Sequence, residues 1–265
     1  MGNRPHAVHP ALGGALMTAA SERAPVTAAL LVIGDEILSG RTKDKNIGHI
    51  AERLTAVGID LREVRVVPDV EDDIVVALNA LRARYHYVFT TGGIGPTHDD
   101  ITADCVAKAF GVPIDVDPRA RAMLLDLIAP ADLNAARLRM ARIPEGASLV
   151  ENTVSRAPGF HIGNVYVMAG IPRVMHAMLE VILPELEKGP ELLSRAVRAN
   201  AREGDVAGPL AAIAQRHPRA MIGSYPFLDE NGPNTEIVVR ARDHDLLDLV
   251  AGEVRAMVAA LPART

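Results

Sequence analysis

The sequence of 265 residues predicts an α/β fold, a three-layer and mostly parallel sheet with a small α+β part after it. Three observations predict this class. Short apolar runs such as Ala28–Ile33 are typical of strands covered on both faces. Stretches with helical spacing of apolar residues separate these runs. Aromatic residues make up only 3%, so Ala, Val, Ile and Leu must build the core, which suits layers of helix and sheet.

The larger part of the chain alternates strands and helices. The first strand, Ala28–Ile33, ends at Gly34, and the helix Lys45–Val57 follows it. The next predicted elements are strands at Asp60–Val67 and Tyr87–Thr91, helices at Glu71–Arg84, Thr102–Phe110, Arg119–Ile128 and Asp132–Met140, strands around Ser148–Val150, Gly159–Ile162 and Val165–Met168, and a helix at Arg173–Leu186. Gly163-Asn164 predicts a two-residue hairpin turn. The alternation predicts parallel strands with right-handed crossovers.

A smaller part follows the boundary that Gly189-Pro190 indicates. Its predicted elements are strands at Arg195–Asn200, Met221–Tyr225 and Glu236–Arg240, and helices at Val206–Gln215 and Asp245–Ala260. We therefore expect a disordered leader at residues 1–26, a larger domain at 27–188 and a small α+β domain at 189–265.

Composition excludes several classes of function. The net charge is −5 with acids and bases interspersed, so we expect no nucleic-acid partner. No apolar run reaches the 18 or so residues of a membrane span, so we expect no membrane partner. The single cysteine, Cys105, cannot form an internal disulfide, which favours a cytoplasmic location. It lies within a predicted helix, where a small core residue is the expected role.

The strongest functional signal is the turn Gly92–Asp100, between a buried strand and a helix. Gly92, Gly93 and Gly95 allow the backbone to adopt positive φ and to approach a ligand closely. The amides behind them and the N-terminus of the following helix favour anions. The turn therefore predicts a site for the phosphate part of a ligand.

Other interpretations of this turn were weighed. A P-loop needs Gly-Lys-Ser/Thr and a dinucleotide fingerprint needs a third small residue, whereas Pro96 follows Gly95 and His98 takes the place of that small residue. The glycines could serve a tight turn alone, with Asp99 or Asp100 capping the helix for about 1 kcal/mol. The polar residues Thr97, His98, Asp99, Asp100 and Thr102 exceed what one cap requires, which favours function.

Two groups of acidic residues suggest a metal. Asp99 and Asp100 would repel a phosphate unless a cation lay between them, so we predict that they hold Mg²⁺ or another divalent cation. Asp35 and Glu36 follow the first strand and lead to Asn46. This segment should leave the sheet at the same edge as the glycine turn, where it could bind metal, ribose or a base.

Several motifs together resemble a known family. They are GDEILSG at Gly34–Gly40, DKN at Asp44–Asn46, TGGIGPTHDDIT at Thr91–Thr102, NTVSRAPGF at Asn152–Phe160 and MAGIPRVM at Met168–Met175. Over about Ala28–Leu186 the chain resembles the molybdopterin-binding (MoaB/Mog-like) domain, and more narrowly the amino-terminal domain of the CinA (competence/damage-inducible) family. The small part resembles the KH-like domain that follows in that family, although Gly204 and Gly208 have the wrong spacing for a loop that grips nucleic acid.

The resemblance implies a small-molecule ligand that carries phosphates. Molybdopterin-type relatives bind or adenylylate the pterin, and CinA-type relatives are associated with metal-dependent cleavage of the pyrophosphate in nucleotides such as ADP-ribose. A similar domain is fused to eukaryotic FAD synthase. The resemblance implies a site lined by Gly92, Gly93, Gly95, Thr97, Asp99, Asp100 and Thr102, with Asp35, Glu36 and Asn46 opposite.

The chain departs from the family pattern at two places. Ser155-Arg156 replaces Gly-Thr, and Val174 stands where Glu is expected. If that Glu helps to hold metal or water, hydrolysis is weakened here while binding survives, and Arg156 and Arg173 could add phosphate contacts. We therefore expect a nucleotide pyrophosphatase (a hydrolase), with two alternatives: molybdopterin binding or adenylylation, and a non-catalytic module. We also expect a homo-oligomer.

Overall fold

The computed structural model describes residues 24–230 and 232–262 and has the predicted α/β architecture. Its strands are β1 (Val26–Ile33), β2 (Ile59–Val67), β3 (Tyr87–Thr91), β4 (Ile114–Val116), β5 (Arg142–Pro144), β6 (Ser148–Val150), β7 (Gly159–Ile162), β8 (Val165–Met168), β9 (Leu193–Arg198), β10 (Met221–Asp229) and β11 (Gly232–Ala241). Its helices are α1 (Asp35–Leu38), α2 (Asn46–Ala56), α3 (Glu71–Arg82), α4 (Thr102–Phe110), α5 (Pro118–Leu125), α6 (Ala135–Leu138), α7 (Pro172–Ile182), α8 (Glu203–Arg216) and α9 (His244–Ala259).

The main sheet has six strands in the order β2-β1-β3-β8-β7-β6. The four strands β2, β1, β3 and β8 run parallel, and β7 and β6 add antiparallel pairs at one end. Gly163-Asn164 makes the predicted turn between β7 and β8, which pair as far as Ile162 and Val165. The prediction of a mostly parallel sheet is confirmed.

Both faces of this sheet are covered by helices, because successive side chains of a strand point to opposite sides. Leu31 of β1 packs with Leu78 of α3 and Val106 of α4 in one core. Its neighbour Leu30 packs with Leu54 of α2 and residues of α7 in a second core. This alternation explains why the strand is apolar at every position and confirms the three-layer arrangement.

The prediction of one helix at Asp132–Met140 was wrong. The structure has a 3-10 turn at Pro130–Asp132, the short helix α6 and a second 3-10 turn at Arg139–Ala141. The Asn134 side chain accepts a hydrogen bond from the amide of Arg137 at 3.0 Å, so it begins a new helix and interrupts any helix from upstream.

Three other boundaries differ from the predictions. The three-residue strands β4 and β5 pair in a small sheet that the sequence did not predict, because so short a strand carries no visible period. The predicted final helix of the larger part stops at Ile182 and continues only as a 3-10 turn. Strand β1 begins at Val26, inside the predicted leader. Residues 1–23 of that leader lie outside the described residues.

The smaller part has its own sheet and core. Its antiparallel strands lie in the order β10-β11-β9, and Val206 of α8 and Val250 of α9 pack with Ile237 of β11. Gly204 and Gly208 lie inside α8, not in a loop. Arg242 joins the two parts, since its guanidinium donates to Asp60 Oδ1 at 2.5 Å. The domain limits at 188 and 189 stay a prediction.

None of the helices in the part of the chain that the structure describes has the length and apolar character needed to cross a bilayer.

Candidate functional site

The two predicted loops leave the sheet side by side. Strands β1 and β3 are parallel neighbours, and Val32 pairs with Thr91 at their carboxyl ends. Gly34 and Gly92 follow these strands directly. The expectation that both loops share one edge of the sheet is confirmed.

Only glycine fits the start of the glycine loop, which we define as Gly92–Asp100. Gly92 has φ of 101°, and a Cβ atom there would lie 2.1 Å from the carbonyl oxygen of Ile33. Gly93 has φ of 65°, and its Cβ would lie 2.2 Å from Thr102 Oγ1. Both φ values are rare for other residues, and both positions lack space for a side chain. The backbone therefore packs tightly against β1 and α4.

Side chains of the loop hold its own backbone in place. The buried Thr102 hydroxyl donates to the carbonyl of Gly92 at 2.9 Å. Asp100 Oδ2 accepts from the Thr97 amide at 2.8 Å and from the Thr97 hydroxyl at 2.6 Å. No side chain caps α4, so the alternative role of Asp100 as a helix cap is wrong. Thr97, Asp100 and Thr102 shape the loop, and their direct contact with a ligand stays a prediction.

The backbone amides of the loop are left free by this arrangement. Within residues 24–230 and 232–262, no hydrogen bond occupies the amides of Gly93, Ile94 and Gly95. Consecutive free amides next to a helix N-terminus form an electropositive concavity that suits an anionic oxygen.

Arg139 lies behind the glycine loop, a position that no motif in the sequence indicated. Its Nη2 donates to the carbonyl of Asp100 at 3.0 Å, and its Nε is buried without a partner. Nearby, Arg142 forms an ion pair with Asp104 of α4 at 2.7 Å. Arg139 lies within the stretch Asp132–Met140 that the sequence predicts as a single helix, and Arg142 follows it, so their position could not be foreseen. They add positive charge beside the loop amides.

We name the space on this side of the loop the arginine cleft. It is lined by Gly93, Ile94, Gly95, Asp100, Ala103, Asp104, Arg139, Met140, Arg142, Ile143, Pro158 and Phe160.

A carboxylate missed by the sequence analysis lies on the other side. Asp69 Oδ2 accepts the amide of Asp35 at 3.0 Å. The pKa of the Asp69 carboxyl lies above its usual value, mainly because the group is partly buried and then because of the charges of Glu36, Asp35 and Asp99. Four carboxylates thus influence one another along this edge without forming a single cluster. The only signal in the sequence is that Pro68-Asp69 directly follows the predicted strand Asp60–Val67.

A second cleft, the asparagine cleft, lies between the start of α2 and the segment before α7. Asn46 is only 4% exposed, and its Nδ2 donates to the carbonyl of Gly170 at 2.8 Å. The cleft has an accessible volume of about 60 Å³. It is lined by Val32, Ile33, Glu36, Ile37, Thr42, Lys43, Asp44, Lys45, Asn46, Thr91, Gly92, Gly170 and Pro172. Asn46 Oδ1 and Thr91 Oγ1 are both buried without a hydrogen-bond partner.

A pair of histidines packs along the same two helices. The rings of His49 and His176 stack with centroids 3.6 Å apart and an angle of 15°. Both Nε2 atoms are buried without a partner. The pKa of His176 lies below its usual value, first because of burial and then because of His49. One turn further on, Arg53 makes two hydrogen bonds to Glu180, each of 2.8 Å.

The glycine loop therefore separates the predicted site residues into two groups. Gly93, Gly95 and Asp100 line the arginine cleft, whereas Glu36, Asn46 and Gly92 line the asparagine cleft. Asp35 lies against Asp69, and the Asp99 side chain is 59% exposed with His98 Nδ1 at 3.8 Å.

The two departures from the family pattern have clear positions. Val174 is 6% exposed and belongs to the core beneath α7. Arg156 has φ of 59°, a left-handed conformation that glycine favours and that arginine rarely adopts. Arg173 is exposed on the first turn of α7.

The predicted metal has no clear set of ligands. Asp100 accepts two hydrogen bonds from Thr97, and a hydrogen bond from the Thr97 side chain also holds the pKa of the exposed Asp99 carboxyl below its usual value. In the described part of the chain, no three His, Cys, Asp or Glu side chains are grouped so that they could hold a metal ion. The divalent cation therefore stays a prediction. Burial raises the pKa of the Cys105 thiol to about 12, so it stays protonated and fits the core role predicted for it.

Comparisons with known proteins agree with the fold. Residues 29–188 match the family described as "Probable molybdopterin binding domain", and residues 191–262 match "FAD synthase, middle domain". A relative from Pyrobaculum calidifontis is 35% identical over 81% of this chain and 87% of its own length. A CinA-like protein from Myxococcus xanthus is 34% identical over 76% of this chain, which spans about half (52%) of that protein.

A solved structure gives the same result. The protein CinA with unknown function from Thermoplasma acidophilum is 36% identical to this chain and superposes with a TM-score of 0.57. The match covers 60% of this chain and 96% of that one.

Proposed function

The chain belongs to the molybdopterin-binding (MoaB/Mog-like) domain family in its CinA-like form, and from that membership we propose that it binds a phosphate-bearing nucleotide or molybdopterin on the glycine loop. One observation carries the proposal: Gly93, Ile94 and Gly95 present free amides where the parallel strands end. Amides held in this way bind phosphate oxygens without reorganising. The match of residues 191–262 to the FAD synthase middle domain also supports a nucleotide-related ligand.

The reaction we propose is hydrolysis of the phosphoanhydride in a nucleotide diphosphate such as ADP-ribose or FAD. The oxygen of a water molecule forms a new bond to phosphorus, the bridging P–O bond breaks, and two phosphate monoesters leave. The loop amides hold the phosphate oxygens as negative charge builds on them. The exposed carboxylate of Asp99 orients the water and accepts its proton. Thr97 and Asp100 keep the loop in shape.

A bound divalent cation would polarise a phosphoryl oxygen and lower the pKa of the attacking water. Carboxylate oxygens are suitable ligands for Mg²⁺ in kind. Because the described residues provide no three-residue group for such an ion, we assign no step to it.

Two further candidates each rest on a specific observation. The description of the matching family favours binding or adenylylation of molybdopterin. The apolar Val174, buried where the family pattern has Glu, favours a module that binds the ligand without turning it over. Assembly as a homo-oligomer, a cytoplasmic location and a KH-like character of the small part belong to this proposal and are open to test.

The test measures binding and turnover separately. Titration calorimetry with ADP-ribose, FAD and pyrophosphate measures binding. Chromatography of incubations with Mg²⁺, Mn²⁺, Co²⁺ or a chelator measures products. If the protein is a hydrolase, AMP should form from ADP-ribose or FAD. The variant Asp99→Ala should then lose turnover and keep binding. If the protein binds a ligand but forms no product with any of these metals, the result supports the non-catalytic module. Failure of all these compounds to bind would leave molybdopterin as the candidate.

A further inference from the structure

We propose that the asparagine cleft binds a neutral, hydrogen-bond-donating part of the ligand, a sugar hydroxyl or a pterin amino group, through Thr91 and Asn46. The inference rests on the proposed function, since it divides one ligand between the glycine loop and the cleft beside it. Thr91 is the residue directly before Gly92, so the two binding regions are adjacent in the chain.

The unpaired atoms in the cleft determine which chemistry fits. Asn46 and Thr91 are 4% and 1% exposed, and Asn46 Oδ1 and Thr91 Oγ1 have no partner. A buried polar atom without a partner is costly, and native proteins rarely keep one without a reason. Because both residues line a cleft with an accessible volume of about 60 Å³, a small group such as a hydroxyl or an amino group can reach these unpaired atoms.

The hydrogen bonds already made exclude a phosphate oxygen as the partner of the unpaired atom, Asn46 Oδ1. The Asn46 Nδ2 group donates to the carbonyl of Gly170 at 2.8 Å, which also shows which side-chain atom is oxygen. Its Oδ1 can only accept, whereas the second N–H of Nδ2 can still donate. An ionised phosphate oxygen is an acceptor too and cannot satisfy an amide oxygen. A group with O–H or N–H is needed.

The start of α2 also disfavours an anionic group in the cleft. Asp44 Oδ1 accepts the amides of Asn46 at 3.0 Å and of Ile47 at 2.8 Å. These first amides of the helix thus already donate hydrogen bonds and are not available to an anion. Glu36 adds a further acceptor to the lining of the cleft. A hydroxyl could accept the Thr91 proton and donate to Asn46 Oδ1 at the same time.

The chain contains a matched control for Thr91. Its neighbour Thr90 is 0% exposed, and its Oγ1 is likewise buried without a partner. Thr91 shares its face of β3 with Phe89, which packs under α2 and α7, whereas Thr90 shares the opposite face with Val88. Thr90 does not line the asparagine cleft.

The test compares Thr91→Val with Thr90→Val and Thr91→Ser in the full chain. Each Val variant removes an unsatisfied buried hydroxyl, so both should melt about 2–4 °C above the original protein. Binding is measured by calorimetry with three probes: ADP-ribose, neopterin triphosphate and inorganic pyrophosphate, which carries neither ribose nor pterin.

We expect Thr91→Val to weaken the binding of ADP-ribose or of neopterin triphosphate about tenfold. The binding of pyrophosphate should not change. The probe that responds identifies whether the donor group is a ribose hydroxyl or a pterin group. Thr90→Val and Thr91→Ser should bind every probe normally.

Two results would overturn the inference. If pyrophosphate binds but Thr91→Val leaves both larger probes unaffected, the cleft holds only water and the proposed function survives. If no probe binds the original protein, the proposed function and this inference fail together.

Discussion

The glycine loop and the wall formed by α2 and α7 border the same edge of the sheet. They differ in which of their polar groups already have hydrogen-bond partners. In the loop, Thr97, Asp100 and Thr102 have hydrogen-bond partners, and backbone amides are free. In the wall, the backbone is regular helix, and the side-chain atoms Asn46 Oδ1, His49 Nε2 and His176 Nε2 are unpaired.

The difference shows two ways to make a binding surface. Free amides recognise a charge and tolerate any ligand that carries it. Buried side-chain acceptors recognise one pattern of donors and reject others. The loop should therefore provide affinity for phosphate, and the wall should provide the choice among phosphate-bearing ligands. The following four predictions, ordered from the largest expected effect, test the two sides separately.

Gly92→Ala should cause the largest loss. The new Cβ would meet the Ile33 carbonyl at 2.1 Å in a backbone with positive φ, so the free energy of unfolding should fall by about 3 kcal/mol or more. Gly111→Ala is the control, since Gly111 also has positive φ (67°) but no atom within 4 Å of its Cβ position. It should lose only about 1–2 kcal/mol. Urea unfolding of both variants measures the difference, and equal losses would contradict the packing argument.

Asp100→Ala should have the next largest effect. It removes the acceptor of the Thr97 amide and hydroxyl, so the unfolding free energy should fall by about 1–2 kcal/mol and pyrophosphate should bind more weakly. The adjacent Asp99→Ala, at an exposed side chain, should change stability by less than about 0.5 kcal/mol. If thermal melting showed Asp99→Ala to be the more damaging, the loop would be organised differently from the way we describe.

The histidine pair should make stability depend on pH. The pKa of His176 is below its ordinary value of 6.5 in the folded protein, so the unfolded chain binds more protons as the pH falls through that value. This contribution to stability is present above the ordinary pKa and is lost as the pH falls below it. The variant His176→Phe keeps a ring against His49. Between about pH 8 and pH 5, its melting temperature should fall less steeply than that of the original protein. Parallel dependences of the two proteins on pH would show that folding does not change the protonation of His176.

Asp69→Asn should have the smallest effect, and in the opposite direction. The pKa of Asp69 is raised in the folded state by burial and by neighbouring acids, so ionisation of this group favours the unfolded chain. At pH 7 the variant should therefore melt slightly higher, while its amide oxygen can still accept from Asp35. The gain should shrink as the pH falls through the raised pKa and towards the ordinary value of 3.8. A lower melting temperature at pH 7 would contradict this.

Much of the scaffold was visible in local patterns. The apolar run of β1, the stripe of α2 and the end of α4 at Gly111 appear close to where the sequence predicted them. The stretch at residues 130–141 was missed because Asn134 fits both a helix interior and a cap, and only its hydrogen bond to Arg137 decides between them.

By itself, the sequence determined the fold class, the family and the place of the glycine loop, because these depend on residue spacing within one segment. Tertiary structure alone decided that His49 would stack on His176, that Arg139 would lie behind the loop, and that Thr91 and Asn46 would share a cleft. The partners in these pairs are far apart in the chain, and no local pattern encodes which distant side chain the packing of α2, α7 and the sheet will bring near. The glycine loop is determined by neighbouring residues of one segment. The clefts on either side of it form only when the helices pack on the sheet.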